Sequence, residues 1–199
     1  GLNASMEEFD ALPEDSSSTD VLRALFEGTD DTVYTKTSLD ETIEDAFLPE
    51  GFENVVIEGY GDVDITGNTQ DNIITGNVGN NVIDGGDDDD KLWGQDGNDD
   101  IAGGSGDDWL GGGEGDDTID GEIGNDDIQG GAGDDDRTGG GGDDWLSGDE
   151  GNDTLDGGAG EDTMLGGSGM DSMLGGEGDD WLDGGDDDDK IWGQDGNDD

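Results

Sequence analysis

Aspartate residues recur at every ninth position through the C-terminal part of the chain. The series runs from Asp90 to Asp198, and Asn72 and Asn81 hold the same position in two earlier repeats. A glycine stands five residues before each of them, beginning with Gly67, so the acidic residue is the sixth of a nine-residue frame. The chain has no histidine and no cysteine. The usual ligands of zinc, haem and iron–sulfur clusters are therefore absent, and the array offers oxygen ligands alone.

Oxygen-only sites select hard cations, and a flexible site with six or more oxygens favours Ca²⁺ over Mg²⁺. We therefore predict about ten calcium ions, bound by aspartate carboxylates and by carbonyl oxygens of the turns. The predicted aspartate ligands are Asp90, Asp99, Asp108, Asp117, Asp126, Asp135, Asp144, Asp153, Asp162, Asp171, Asp180, Asp189 and Asp198. The predicted glycine ligands are Gly85, Gly94, Gly103, Gly112, Gly121, Gly130, Gly139, Gly148, Gly157, Gly166, Gly175 and Gly184.

The same frame predicts how the chain folds around these ligands. Positions 7 to 9 should alternate outward, inward and outward as a short strand, which places position 8 in the core. Positions 1 to 6 should form the turn, with the glycines at positions 1 and 4 supplying positive φ angles. The residues at position 8 are large and aliphatic: Ile74, Ile83, Leu92, Ile101, Leu110, Ile119, Ile128, Leu146, Leu155, Met164, Met173, Leu182 and Ile191.

Several positions depart from the pattern. Arg137 occupies position 8, so either its strand is distorted or its guanidinium reaches a neighbouring carboxylate. Asp88 and Asp187 replace the glycine at position 4, and aspartate tolerates a left-handed turn better than most residues. Asn72 and Asn81 are neutral at position 6, so their turns should bind calcium weakly or not at all.

The apolar core is too thin to hold this fold alone. Burying one aliphatic side chain contributes about 1.5–3 kcal/mol, whereas ordering each backbone residue costs about 1–2 kcal/mol. The formal net charge is −54 on 199 residues, a composition typical of disordered polyanions. Eleven bound calcium ions would reduce the charge to about −32. We therefore expect calcium binding and folding to be one event.

The motif G-G-x-G-x-D-x-U-x, in which U is a large aliphatic residue, covers residues 67–199. It resembles the RTX (repeats-in-toxin) nonapeptide, which binds calcium in a parallel β-roll. The resemblance implies an all-β fold, a right-handed parallel β-roll or β-solenoid with two nonapeptides per coil. It also implies that aspartates eighteen residues apart share ions, which gives eleven pairs from Asp90–Asp108 to Asp180–Asp198.

The resemblance implies a secreted, extracellular bacterial module, exported by type I secretion of a full-length parent protein. Calcium affinities of about 10⁻⁴–10⁻³ M, common in extracellular modules, would leave the sites empty in a cytosol. We recognise neither a signal peptide nor a membrane-spanning run in these residues, and we expect the negative charge to disfavour nucleic acid and anionic membranes. No catalytic constellation stands out, so we expect a calcium-binding structural or secretion-folding module rather than an enzyme. The alternative is an auxiliary module that binds a partner or a polysaccharide and is attached to a secreted enzyme or cytolysin.

One face of the roll should carry most of the tryptophans. Alternate frames place Trp93, Trp109, Trp145 and Trp181 on the same side. We hypothesise that this face receives a protein chain or stacks the sugar rings of a polysaccharide. The simpler interpretation is that the aromatic rings cover neighbouring strands.

The first 66 residues differ from the array. We predict a flexible acidic N-terminus over 1–18, a capping helix and irregular leading β-coils over 19–66, and a calcium-binding roll over 67–199 that ends within a repeat. The helix is predicted over 19–28 from its amphipathic pattern and its glycine stop. A rival helix over 38–47 would begin at a capping box. The preferred interpretation is a series of short strands at Thr32–Thr35, Ala46–Leu48, Val55–Glu58 and Val63–Thr66.

Overall fold

The structure, a computed structural model, describes residues 32–36, 43–48, 51 and 53–199. These residues form eighteen β-strands and contain no helix. The strands are β1 Thr32–Lys36, β2 Ile43–Phe47, β3 Asn54–Glu58, β4 Val63–Thr66, β5 Ile73–Thr75, β6 Val82–Asp87, β7 Lys91–Asp96, β8 Asp100–Ser105, β9 Trp109–Glu114, β10 Thr118–Ile123, β11 Asp127–Ala132, β12 Asp136–Gly141, β13 Trp145–Glu150, β14 Thr154–Ala159, β15 Thr163–Ser168, β16 Ser172–Glu177, β17 Trp181–Asp186 and β18 Lys190–Asp195.

The strands form two parallel sheets between which the chain alternates. Nine odd-numbered strands follow one another in one sheet, and nine even-numbered strands follow one another in the other. Within the array each strand pairs with the strand eighteen residues away, so Leu92 faces Leu110 and Ile101 faces Ile119. The predicted all-β, parallel β-solenoid is confirmed, and it has about eight turns.

The core is a stack of apolar side chains between the two sheets. Residues at position 8, such as Leu92, Leu110 and Leu146, are fully buried. Burial falls at the last strands, where Leu182 is partly buried and Ile191 is 44% exposed. The prediction that position 8 fills the core is therefore confirmed, and each aliphatic side chain is buried by its neighbours in the stack.

The strands are longer than the three residues predicted. A typical strand, Lys91–Asp96, runs through positions 7 to 9 and continues into positions 1 to 3 of the next frame. The predicted six-residue turn is wrong, because the turn between β7 and β8 comprises only residues 97–99. Gly94, at position 1, lies inside the strand and is buried. The extra strand residues are stabilised by parallel pairing with the neighbouring coil.

The glycine at position 1 is needed for space and not for a positive φ angle. The positive φ angles lie at positions 2 and 4, for example 114° at Gly86 and 120° at Gly97. Asp88 and Asp187 adopt φ angles of 69° and 84°, so the prediction of left-handed aspartates at position 4 is confirmed. The predicted reason for glycine at position 1 is therefore wrong.

The leading segment is also made of strands. The runs predicted from residues 32, 55 and 63 are confirmed by β1, β3 and β4. The rival helix over 38–47 is wrong in its described part, because Ile43–Phe47 forms β2. The pairing of β2 with β4 shifts in register between Ile43 and Ala46, which makes this coil irregular. The predicted helix over 19–28 and the acidic segment 1–18 lie outside the described residues.

Candidate metal sites in two columns of turns

The aspartates at position 6 stack into one column at each edge of the roll. Each lies at the end of a turn, immediately before the next strand, which begins at position 7. The odd column precedes the odd-numbered strands and comprises Asp90, Asp108, Asp126, Asp144, Asp162, Asp180 and, at its end, Asp198. The even column precedes the even-numbered strands and comprises Asp99, Asp117, Asp135, Asp153, Asp171 and Asp189.

Successive aspartates of a column are joined by a hydrogen bond. The backbone N–H of Asp90 donates to Oδ1 of Asp108 at 2.7 Å, and the N–H of Asp180 donates to Oδ1 of Asp198 at 3.1 Å. The same bond occurs in all eleven aspartate pairs eighteen residues apart. The structure therefore brings together every pair that the sequence suggested.

The second carboxylate oxygen of these aspartates has no hydrogen-bond partner. Oδ2 is buried and unpaired in the first member of every pair, and this set comprises Asp90, Asp99, Asp108, Asp117, Asp126, Asp135, Asp144, Asp153, Asp162, Asp171 and Asp180. A buried acceptor without a partner costs about 1–3 kcal/mol, and more when it is charged. Eleven such atoms in regular stacks indicate that these oxygens face a ligand.

The glycine at position 1 keeps a small space open beside each unpaired oxygen. A β-carbon at Gly112 would collide with Oδ2 of Asp117 and would lie 2.7 Å from the carbonyl oxygen of Gly130 in the next coil. Gly139 is crowded in the same way by Asp144 Oδ2 and by the Gly157 carbonyl oxygen at 2.6 Å. We name this space the glycine cradle. Its walls carry a carboxylate oxygen and a carbonyl oxygen, the donor set that hard cations such as Ca²⁺ prefer.

Burial changes the acid–base behaviour of the columns. Desolvation raises the pKa of Asp90, Asp117 and Asp126 to about 7, although the N–H donor of the preceding coil opposes this shift. The carboxylates of adjacent coils raise the pKa of these groups further by like-charge repulsion. A cation in the columns would relieve both effects.

Backbone carbonyls must contribute to any ion held here. Among residues 53–199 and the shorter described segments, no three acidic side chains gather at one point. A candidate site would therefore combine one or two carboxylates with backbone carbonyls such as that of Gly130, which lies in strand β11 and not in a turn as the sequence analysis expected. The roles of the individual aspartates and glycines as ligands remain predictions.

Outside each column lies a second ladder, made of Asp and Asn side chains, which the sequence analysis missed. The residue at position 5 accepts a hydrogen bond from its counterpart in the next coil: Asp107 donates its N–H to Oδ1 of Asp89 at 2.9 Å, and Asp134 donates to Asp116 at 3.0 Å. The direction is opposite to that of the inner columns. The frequent Asp or Asn at position 5 was the available signal. These hydrogen bonds link the turns of successive coils on their solvent-exposed side.

Asn81 shows how a neutral residue fits into the even column. Its side-chain Nδ2 donates to the carbonyl oxygen of Gly79 at 2.7 Å and to Oδ1 of Asp99 at 2.9 Å. Nδ2 also lies 2.9 Å from the β-carbon position of Gly76, so the amide group points into the glycine cradle. An N–H donor therefore points into this cradle, whereas the aspartates of the even column direct a carboxylate oxygen into theirs.

Arg137 is completely buried in a regular strand. Its guanidinium reaches Oδ1 of Asp153 with an Nη2–Oδ1 distance of 2.9 Å, and Nη1 donates to the Gly148 carbonyl at 3.0 Å. Arg137 faces Ile119 and Leu155 in the ordinary register. Of the two alternatives for this residue, the structure shows the contact with a neighbouring carboxylate and not a distorted strand.

The tryptophans predicted to share a face lie in one sheet. Trp93, Trp109, Trp145 and Trp181 belong to odd-numbered strands, and we name their outward side the tryptophan face. Trp93 packs edge-on against Trp109 with ring centroids 4.7 Å apart. Trp181 is 45% exposed. Some of these rings thus cover neighbouring strands, and at least one remains available to solvent.

Comparison with known proteins identifies the repeat. The RTX calcium-binding nonapeptide repeat family matches residues 66–101, 75–110, 102–136, 138–173 and 165–199. No curated protein matches the chain. In the described part of the chain, no helix has the length and apolar character needed to cross a bilayer.

Proposed function

We propose that this chain, which belongs to the RTX calcium-binding nonapeptide repeat family, folds as calcium fills its two columns of aspartates. The observation that carries the proposal is the set of eleven buried aspartate Oδ2 atoms without hydrogen-bond partners. Nine of them lie beside a glycine cradle whose second wall is a carbonyl oxygen of the next coil; the exceptions are the cradles of Gly94 and Gly130. Calcium bound between successive coils would neutralise both carboxylates of a pair and hold the coils together.

Electrostatics couples this binding to folding. A chain with a net charge of −54 resists compaction, and stacking its aspartates eighteen residues apart concentrates that charge along two lines. The metal-free roll therefore lacks the counter-charge that its turns require. In this proposal about ten calcium ions supply it, and the chain becomes a right-handed β-roll with two nonapeptides per coil.

This coupling suits a module that must stay unfolded until it leaves the cell. Sites with affinities of about 10⁻⁴–10⁻³ M are empty at cytosolic calcium levels and filled outside. We therefore propose a non-enzymatic folding and structural module of a larger secreted protein. Type I secretion of that parent protein is consistent with a chain that crosses membranes unfolded and folds on arrival.

Calcium titration combined with circular dichroism tests the proposal. In chelator at neutral pH the chain should lack β-structure, and β-structure should rise in step with calcium bound per chain as measured by calorimetry. Magnesium at the same concentration is the control and should induce little folding, because its smaller octahedral shell fits these shared sites poorly. Equal β-structure with and without calcium would contradict calcium-induced folding, and a stoichiometry far below about ten would contradict the paired sites.

A second candidate function concerns the tryptophan face. Trp109, Trp145 and Trp181 occupy equivalent positions on every second strand of one sheet, separated in register by Asp127 and Thr163. Their spacing is about 10 Å, twice the strand separation, which suits stacking of a repeating sugar chain. Replacement of Trp145 and Trp181 by alanine should abolish retention of the folded chain on an immobilised polysaccharide. Unchanged retention would reject this candidate without affecting calcium binding.

A further inference from the structure

Arg137 is a cation held inside the even column. Its side chain is fully buried, and its Nη2 lies 2.9 Å from Oδ1 of Asp153. Nη1 donates to the carbonyl oxygens of Ser147 at 2.5 Å and Gly148 at 3.0 Å. Nη1 also lies 3.8 Å from Oδ2 of Asp135. Asp135 and Asp153 belong to two successive turns of the column, and the two carbonyls belong to strand β13, so the guanidinium bridges the two coils.

The guanidinium lies in the glycine cradle of this coil. At Gly112 the cradle is bounded by Asp117 Oδ2 and by the Gly130 carbonyl oxygen. At Gly130 the nearest atoms to a β-carbon are instead Arg137 Nη1 and Asp135 Oδ2. The carbonyl that would close this cradle, that of Gly148, accepts the hydrogen bond from Nη1. Arg137 therefore contacts the oxygen types that line the cradles of other coils.

We infer that the guanidinium of Arg137 replaces the calcium ion between Asp135 and Asp153, so that this one site binds no metal. The inference rests on the proposed calcium binding of the other sites. A bulky cation covalently attached to the chain excludes Ca²⁺ from the same space by size and by like charge. The planar guanidinium with its several donors suits a set of carbonyl and carboxylate oxygens.

The next site of the column is left intact. Asp153 uses Oδ1 for Arg137 and for the N–H of Asp135, while its Oδ2 stays buried without a partner. Asp153 also donates its own N–H to Oδ1 of Asp171 at 2.9 Å. Only the site between Asp135 and Asp153 is therefore lost. The array keeps one link between coils that a calcium chelator cannot remove.

The calcium count of matched variants tests this inference. Arg137→Leu restores the aliphatic residue that other frames have at position 8, so it should fold in saturating calcium and bind one more ion per chain than the unmodified protein. Met164→Leu is the control, because it changes an equivalent core residue without altering charge, and it should leave the count unchanged. Native mass spectrometry of the calcium-saturated chains measures both. Equal counts for the unmodified protein and Arg137→Leu would overturn the inference, whereas absence of calcium from every variant would overturn the proposed function.

A measurement on the unmodified protein does not depend on the folding of a variant. In calcium-saturated protein with ¹⁵N-labelled arginine, one of the two guanidinium groups should show slow hydrogen exchange and restricted rotation. This behaviour is expected for a buried group bound to several oxygens. If both arginine side chains exchanged quickly and rotated freely, Arg137 would not occupy the site and the inference would fail.

Discussion

The backbone N–H of Asp126 donates to Oδ1 of Asp144, eighteen residues further along the chain, at 2.8 Å. The bond fixes one oxygen of each carboxylate in a continuous ladder, since Asp126 itself accepts from Asp108 through Oδ1. It leaves Oδ2 of Asp126 buried and unpaired. Each aspartate inside a column thus takes part in two neighbouring pairs, and one substitution affects two candidate sites.

Asp126→Asn should therefore reduce the number of bound calcium ions by two and lower the melting temperature of the calcium-loaded protein. The amide keeps an acceptor for the Asp108 N–H but removes a charge from both pairs. Asp100→Asn is the matched control, because it removes the same charge from an exposed residue of β8. Calorimetric titration and thermal unfolding of both variants give the comparison. If the two variants bound equal numbers of ions, Asp126 would not be a ligand.

Gly121→Ala should destabilise the calcium-loaded roll by about 1–3 kcal/mol, the usual effect of overpacking. The added β-carbon would collide with Asp126 Oδ2 and lie 2.6 Å from the Gly139 carbonyl oxygen. Gly141→Ala is the control, since its β-carbon would meet only the Glu122 carbonyl oxygen, at 3.9 Å. Denaturant unfolding in saturating calcium measures the free energy of unfolding of both. Equal stabilities would show that the glycine cradle is not a closed space.

The sequence predicted the core better than the strand boundaries. Leu92 and Leu110 are both large and aliphatic at position 8, and a repeat with one apolar position can bury it only by stacking. The strands extend past residues such as Gly94 because parallel pairing with the next coil continues at Gln95 and Asp96. Glycine is frequent in turns. The glycines at these positions therefore led to the prediction of a turn that was too long.

The site was predictable where it follows from the repeat and its family resemblance, and not where it depends on the contacts of individual side chains. The pairing of Asp90 with Asp108 follows from the two frames per coil that the resemblance implies, whereas the outer ladder of Asp89 and Asp107 resembles an ordinary solvated acidic surface. The partners of Arg137 required the structure. Its guanidinium contacts residues ten and more positions away, on the facing strand and in the next turn.

The metal-free roll should be more stable in acid than at neutral pH. Burial raises the pKa of Asp90 and Asp144 from the ordinary 3.8 to about 7, and that of Asp162 to about 6. Between the ordinary pKa of 3.8 and the raised values of about 6 to 7, the folded roll binds more protons than the unfolded chain, so the stability of the roll falls as the pH rises. The stabilisation is complete below about pH 4 and is lost as the pH passes 6 to 7.

Thermal unfolding by circular dichroism in chelator, at pH values from 4 to 7.5, checks this dependence. The β-structure formed in acid should melt at progressively lower temperature as pH rises, and added calcium should restore it at neutral pH. A melting temperature that rose with pH in chelator would show that the buried carboxylates do not control folding.

Asn81→Asp should create one additional calcium site at the start of the even column. The amide Nδ2 of Asn81 now donates to the Gly79 carbonyl oxygen and to Asp99 Oδ1. A carboxylate would lose these donors and face Asp99 with like charge, which a bound calcium ion would neutralise, so the variant should bind one more ion in calcium. Asn80→Asp is the control with the same charge change at an exposed position, where its side chain accepts from the Asn98 N–H at 3.0 Å. Native mass spectrometry should show the extra ion for the first variant alone, because only position 6 directs its side chain into the column.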